Sequence, residues 1–250
     1  MGAFLANPLI RKMENYTRLS PDDHAVLERV IAERVRDLGA REDLAREGDH
    51  PRDVYIVLNG WACRYKNLED GRRQIIAFFL PGDLCDLNIF LLREMDHSVG
   101  TITNVTFAEL SREQMDELTT DHPRINHGFE WEALVNAAIQ REWCLSLGQR
   151  DATERVAHLL CELFVRLRSV GLTKGNRTEF PLTQADLADA TGLSVVHVNR
   201  TLQELRARKF LTLQGRTLNM LNLRALMSAA LFNPNYLHLE QEGAHFDANQ

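Results

Sequence analysis

Phe180-Pro-Leu-Thr-Gln-Ala-Asp-Leu-Ala-Asp-Ala-Thr-Gly-Leu-Ser-Val-Val-His-Val-Asn-Arg-Thr-Leu-Gln-Glu-Leu-Arg-Ala-Arg-Lys-Phe210 holds two short helical patterns joined across a glycine. Thr183 with Asp186 three residues on forms a capping-box signal for the first helix, and Leu187 and Ala190 fall on its inner side. Gly192 supplies the backbone freedom that a tight turn needs. Ser194 is then a good cap for a second helix, in which Val198, Leu202 and Leu205 share one face. Val195, Val196, Asn199, Arg200 and Gln203 are left largely outside that face. This is the layout of a helix-turn-helix, whose second helix reads the major groove. Beyond it, Phe210-Leu-Thr-Leu-Gln-Gly-Arg-Thr-Leu-Asn-Met-Leu221 alternates apolar and polar residues around Gly215. That pattern predicts a two-stranded wing with Arg216 near its tip.

The charge balance agrees with this reading once it is divided along the chain. The 250 residues carry a formal net charge of −6, which by itself argues against a nucleic-acid partner. Taking Lys and Arg against Asp and Glu, residues 1–150 carry −7, residues 151–224 carry +4 and residues 225–250 carry −3. A basic segment inside an acidic chain suggests an acidic domain joined to a DNA-binding one.

Upstream of the helix-turn-helix, residues 171–180 read as a turn-rich linker, and Asp151 with Glu154 caps a helix over 152–170. A hinge is expected between Gly148 and Asp151. From Pro123 to about Leu147 the sequence predicts a helix of about 25 residues, nearly 40 Å long. Its apolar stripe is Ile125, Trp131, Leu134, Val135, Ala138, Ile139 and Leu145, with Trp131, Val135, Ala138 and Leu145 at heptad-like spacing. A helix of that length suits a second copy of itself, the alternative being that it packs only on its own barrel. Between Leu44 and Ser111, short apolar or alternating runs are separated by Gly60, Glu69-Asp70-Gly71 and Pro81-Gly82-Asp83, as in an antiparallel barrel or jelly roll. The first forty residues read as a helical lead-in, with a Ser20–Asp23 capping box and Leu27, Val30, Ile31 and Val35 at helical spacing.

The expected fold class is therefore α+β: an N-terminal β jelly roll with its lead-in over 1–122, which the resemblance described next makes a sensor domain, a long dimerisation helix over 123–150, a winged helix-turn-helix over 151–224, and an extension over 225–250. Gly60, Gly71 and Gly82 in a jelly roll, a long connecting helix and a C-terminal winged helix-turn-helix together resemble the Crp/Fnr family of bacterial transcription regulators, over roughly Glu47 to Leu223. The resemblance implies a homodimer joined through the long helix, a sensor pocket in the barrel, RNA polymerase as a partner, and paired recognition helices on a near-palindromic site in double-stranded DNA. Two-fold symmetry places the half-sites about one helical turn, roughly 34 Å, apart.

Arg200 matches the arginine of the family's recognition helix and can donate two hydrogen bonds to a guanine edge or hold a phosphate. The family often carries Glu where this chain has Val196, and valine cannot accept from cytosine. A different half-site is expected, with Val195 and Val196 available to thymine methyl groups. Asn199 suits adenine, whereas Thr183, Ser194, His197, Gln203 and Arg216 are placed for phosphates. His197 reads equally well as a merely exposed helix residue.

Asp83, Cys85, His97, Ser98 and Gln140 are the candidate effector-pocket residues. Cyclic-nucleotide-binding members carry a Gly-Glu pair and then an Arg-Ser or Arg-Thr that grips the phosphate. Here Leu84-Cys85-Asp86-Leu87-Asn88 follows the turn and His97 stands at the gripping position, which argues against cyclic AMP. The iron-sulfur branch uses an N-terminal cysteine cluster, but this chain has no cysteine before Cys63. The haem branch's Cys and His are not matched after Cys85. No cofactor is predicted. An unidentified small ligand, a cysteine signal through Cys85 or Cys144, or no ligand at all remain.

Cys63, Cys85, Cys144 and Cys161 make no C-x-x-C pair, so zinc-ribbon and thioredoxin-like chemistry lack their spacing, and the thiols read as buried side chains or a redox switch. Apolar runs fall short of the roughly 18 residues of a membrane span, and the start has no secretory pattern, so a cytoplasmic protein is expected. No catalytic triad, phosphate loop or H-x-x-x-H spacing suggests an enzyme. The other function left open is a nucleotide-like ligand-binding signalling module whose helix-turn-helix serves protein contacts. No role follows for the acidic tail, expected as a short helix with a polar end that packs on the sensor domain or is disordered.

Overall fold

A computed structural model of the chain describes residues 7–239. Two helices lead in, α1 (Pro8–Met13) and α2 (Pro21–Glu33). The Ser20 hydroxyl accepts from the Asp23 amide at 3.1 Å while the Asp23 carboxylate accepts from the Ser20 amide at 2.8 Å, closing the expected capping box. Leu27, Val30 and Ile31 are buried. Val35, placed on that helical stripe by its spacing, instead opens strand β1 (Val35–Leu38) and is half exposed. The helix stops at Glu33, and the Val-Arg-Asp-Leu run pairs antiparallel with a distant strand. Spacing alone could not separate the last helical residue from the first strand residue.

Next come β2 (Asp43–Ala45), β3 (Val54–Asn59), β4 (Ala62–Asn67), β5 (Arg73–Phe79), β6 (Leu84–Cys85), β7 (Ser98–Thr101) and β8 (Val105–Leu110). They form two four-stranded sheets, ordered β1-β8-β3-β6 and β2-β7-β4-β5. Gly82 holds φ at +95°, and a Cβ there would come within 2.7 Å of the Pro8 carbonyl oxygen, so only glycine lets this turn approach α1 so closely. Three helices follow: α3 (Arg112–Thr120), which the sequence pattern did not reveal, the long α4 (Pro123–Gln149) and α5 (Ala152–Ser169). The break between the last two falls where the hinge was expected, with Asp151 and Glu154 closing a capping box.

The chain divides into two compact units. Within the described residues the first comprises 7–64, 78–136 and 238–239, and the second 65–77 and 137–237. In the first unit, Val57, Ala62, Phe79, Cys85, Val99, Val105 and Phe107 fill one core cluster. Val54, Ile56, Ala108 and Leu110 pack in another with Leu9, Ile10 and Met13 of α1, Leu27 and Ile31 of α2, and Ile125 and Phe129 of α4. The β3 strand serves both clusters because successive side chains point to opposite faces of the sheet, Val54 and Ile56 to one and Val57 to the other. Beneath α1, buried Lys12 bridges the Asp83 and Glu132 carboxylates.

The second unit is organised on α5, whose Val156, Leu160, Leu163, Phe164 and Leu167 are buried. It also contains β9 (Arg177–Glu179), α6 (Gln184–Thr191), α7 (Val195–Ala207), β10 (Leu211–Gln214), β11 (Thr217–Met220) and α8 (Leu223–Ala229). The β9 strand lies in the segment read as linker. Three residues are too short to show alternation, and they become a strand by pairing with β11, Thr178 opposite Leu218. The extension also departs from expectation. After α8, Phe232 and Tyr236 are buried within this second unit and not disordered: the Tyr236 hydroxyl donates to Glu162 at 2.9 Å, and Phe232 meets His158 edge-on at 4.9 Å. The polar end of the tail, 240–250, lies outside the described residues.

Candidate nucleic-acid interface

The two helices of the motif are fixed at their ends before any packing is counted. Thr183 and Asp186 close the capping box of α6, with the hydroxyl accepting at 3.1 Å and the carboxylate at 2.9 Å. The helix ends on Gly192 at φ +65°, ψ +28°, a left-handed cap whose amide donates to the Ala188 carbonyl. The Ser194 hydroxyl accepts from the His197 amide at 3.2 Å and starts α7. Arg155, which the sequence did not single out, reinforces the turn: its guanidinium donates to the carbonyls of Thr191 at 2.8 Å and Ser146 at 3.0 Å. Asp186 also accepts from Arg73 at 3.3 Å, and Asp189 accepts from the same guanidinium at 2.8 Å, on the outer part of the β4–β5 hairpin that belongs to this unit.

The packing then divides α7 into two faces. Val198, Leu202 and Leu205 are fully buried, with Leu187 of α6 at their side. Val195, Val196, Arg200 and Gln203 are exposed, Val196 to 81%. Such an apolar side chain facing water gains nothing in the free protein and is available to the methyl groups of a groove. Among the described residues no hydrogen bond or ion pair engages Arg200. Asn199 is held otherwise than expected: its amide donates to Gln184 at 3.1 Å and its carbonyl accepts from Gln203 at 2.9 Å. Thr183 and Ser194 are both exposed but serve as caps, and His197 is half-buried. The wing forms as anticipated, β10 pairing with β11 around Gly215, and Arg216 is exposed beside it. The helix, turn and wing thus place Val195, Val196, Arg200 and Gln203 on one exposed helix face and Arg216 at the wing.

The residues expected to line an effector pocket divide between the two units. In the first, Asp83 is buried and accepts from the Leu80 amide at 2.6 Å, besides its ion pair with Lys12. Ser98 accepts from the Glu47 amide at 3.0 Å. Cys85 is buried, and burial pushes its thiol well above the ordinary value, so it is a packed side chain and not a ready thiolate. The same cause pushes Cys161 up to about 12, whereas Cys144 is exposed. His97 is buried, with Nε2 at 2.8 Å from Asp86 and Nδ1 at 2.7 Å from Asp96. Arg64 also ion-pairs with Asp86. Neither Arg64 nor Asp86 stood out in the sequence as a site residue, because only the fold brings positions 64, 86 and 97 together. In the second unit, Gln140 donates to the Ile76 carbonyl at 2.7 Å.

The apolar stripe of α4 is also redistributed. Val135, Ala138 and Ile139 are buried within the single chain, whereas Leu134 is 64% and Leu145 47% exposed. Ala137, Arg141 and Cys144 are exposed as well, continuing from Leu134 at alternating spacings of three and four. Among the described residues no helix is long and apolar enough to cross a membrane, and no group of three or more His, Cys, Asp or Glu is placed to hold a metal ion.

Comparison with known proteins agrees with both halves of this description. Residues 35–122 match the cyclic nucleotide-binding domain and residues 154–229 the Crp-like helix-turn-helix domain. The transcriptional activatory protein AadR of Rhodopseudomonas palustris is 34% identical over 196 residues, covering 78% of this chain and 80% of that protein. The nitrogen fixation regulation protein FixK of Bradyrhizobium diazoefficiens is 32% identical over 165 residues, covering 66% and 68%. Among solved structures, FixK2 from Bradyrhizobium japonicum superposes with a TM-score of 0.70 at 26% identity, covering 78% of this chain and 96% of that one. With a sensor-type barrel, a winged helix-turn-helix and relatives that are regulators over most of their length, the chain belongs to the Crp/Fnr family of transcription regulators.

Proposed function

We propose that this regulator acts as a homodimer that reads a near-palindromic DNA site through the outer face of α7. The observation that carries the reading is the division of that helix: Val198, Leu202 and Leu205 are sealed in the core, while Val195, Val196 and Arg200 face solvent. Arg200 makes the base or phosphate contact, Val195 and Val196 meet thymine methyl groups, and Thr183, Ser194, His197, Gln203 and Arg216 lie along the backbone. Asn199 can reach adenine only by giving up Gln184, so it contributes less than its residue type suggests. The exposed Leu134, Ala137, Arg141 and Cys144 stripe of α4 is the seam of the dimer, residues 1–122 are the sensor domain, and RNA polymerase is the further partner in the cytoplasm.

Selection of bound sequences from random DNA tests this reading. The expected product is a site with two inverted half-sites about one helical turn, roughly 34 Å, apart. Arg200→Ala should weaken binding to that site by roughly tenfold to a hundredfold while circular dichroism stays unchanged. Unchanged affinity would sink the assignment. Weak binding without sequence preference or steep salt dependence would favour a helix-turn-helix that serves protein contacts instead.

A further inference from the structure

The barrel contains a built cluster of charge that DNA recognition does not use. Asp86 lies between two side chains from other strands of the first unit, Arg64 of β4 and His97 just before β7. Arg64 Nη2 donates to Asp86 Oδ1, and His97 Nε2 lies 2.8 Å from Asp86 Oδ2. The other ring nitrogen of His97 lies 2.7 Å from Asp96 Oδ1. The Arg64 guanidinium rests 5.1 Å from the Phe79 ring centroid. Phe79 and Cys85 are both part of the apolar core beneath. Burial raises the Asp86 carboxyl, but the hydrogen bond from His97 and the charge of Arg64 outweigh it and hold the group below its ordinary value.

The backbone adds an independent observation. Asp86 has φ +60°, the left-handed conformation that glycine adopts freely and that aspartate, with its short polar side chain, adopts more readily than most other residues. The turn at this φ aims the carboxylate between Arg64 and His97, where its side chain is only 13% exposed. Residues 35–122 match the cyclic nucleotide-binding domain, yet the phosphate of such a ligand does not fit here: Arg64 and His97 already hold a carboxylate, and a second anion beside ionised Asp86 would be repelled.

We propose that Asp86 is a built-in anion: its carboxylate fills a cradle formed by Arg64 and His97, closing the barrel to phosphate-bearing ligands, and its removal opens a binding site for a phosphoryl group. The cradle is independent of the DNA-reading face and is tested without DNA.

The full chain is titrated calorimetrically with sodium phosphate and, separately, with 3′,5′-cyclic AMP, at ionic strength matched with sodium chloride. Asp86→Gly suits the backbone at φ +60°, and Asp86→Asn keeps the side-chain shape without its charge. Wild type is expected to show no saturable binding. Both variants should bind about tenfold tighter or more, and Arg64→Ala in the Asp86→Gly background should abolish the gain. Binding of both ligands marks a cradle for the phosphoryl group itself, and binding of cyclic AMP alone marks one that also needs the nucleoside; either supports Asp86 as the closing group. The proposal is overturned if wild type binds as tightly as the variants, if folded variants bind neither ligand, or if binding survives loss of Arg64. It also fails if neither variant folds, since Asp86 would then be a structural ion-pair partner.

Discussion

His158 offers a quantitative test of how the second unit is held together. Its ring is buried on α5, edge-on to Phe232 at 4.9 Å and stacked with Tyr236 at 5.9 Å. Glu142 Oε1 lies 3.3 Å from Nε2 and would favour a charged ring, but that carboxylate is already taken by Arg150 at 2.5 Å. Burial and the Arg150 charge prevail, and the pKa falls from 6.5 to about 3. A group whose folded pKa is depressed takes up its proton in the unfolded chain first. Its contribution to stability is therefore complete above pH 6.5 and is lost as pH falls toward 3. For these two values the loss between pH 7.5 and pH 4.5 is about 2.6 kcal/mol. His158→Phe keeps a ring against Phe232 and Tyr236 and removes the titration. Urea unfolding of both proteins at the two pH values isolates the histidine, because carboxylates elsewhere contribute equally to each. Wild type should lose about 2–3 kcal/mol more than the variant on acidification. Parallel losses would refute the reasoning, and a wild type that gains on the variant at pH 4.5 would show that the Glu142 pair dominates.

Gly192→Ala places a Cβ at φ +65°, where it would meet Leu147 Cδ2 at an ordinary 3.5 Å, so the cost is backbone alone, about 1–2 kcal/mol in chemical denaturation. An Ala variant as stable as wild type would show that the turn relaxes out of the left-handed region. Tyr236→Phe removes a donor from Glu162, a buried carboxyl raised by burial that retains hydrogen bonds from Trp143 and Arg166. A loss of about 1–2 kcal/mol is expected, and none would mean that the extension is held by packing alone. Leu134→Glu puts a charge on the exposed stripe of α4 in both copies. Light scattering should show dimer association weakened by at least about a hundredfold in affinity, at about 1.5 kcal/mol per lost leucine contact, and an unchanged dimer would place the seam elsewhere.

Much of the architecture could be read locally. Capping boxes at Ser20, Asp151 and Thr183 form between residues three apart, so they appear in the sequence and recur in the structure. The same holds for Gly192 and for the wing hairpin around Gly215, both governed by neighbouring residues. Strand β1 was hidden because Val35 continues the helical spacing of α2, and β9 because three residues carry no period. The division of the α4 stripe into buried Val135 and Ala138 and exposed Leu134 depends on what packs against the helix, which no spacing records.

The sequence by itself determined that a basic helix-turn-helix and wing follow an acidic jelly roll and a long helix, because charge segregation, caps and periodicity are properties of neighbours along the chain. It also named the α7 face, since one helix turn relates Val196, Arg200 and Gln203. Tertiary structure alone decided that Asn199 is occupied by Gln184, that Phe232 and Tyr236 seal α5, and that Asp86 meets Arg64 and His97. Those contacts join residues 11 to 74 positions apart, and a buried hydrogen bond or ion pair is settled by which strands and helices converge, not by the residues that flank it.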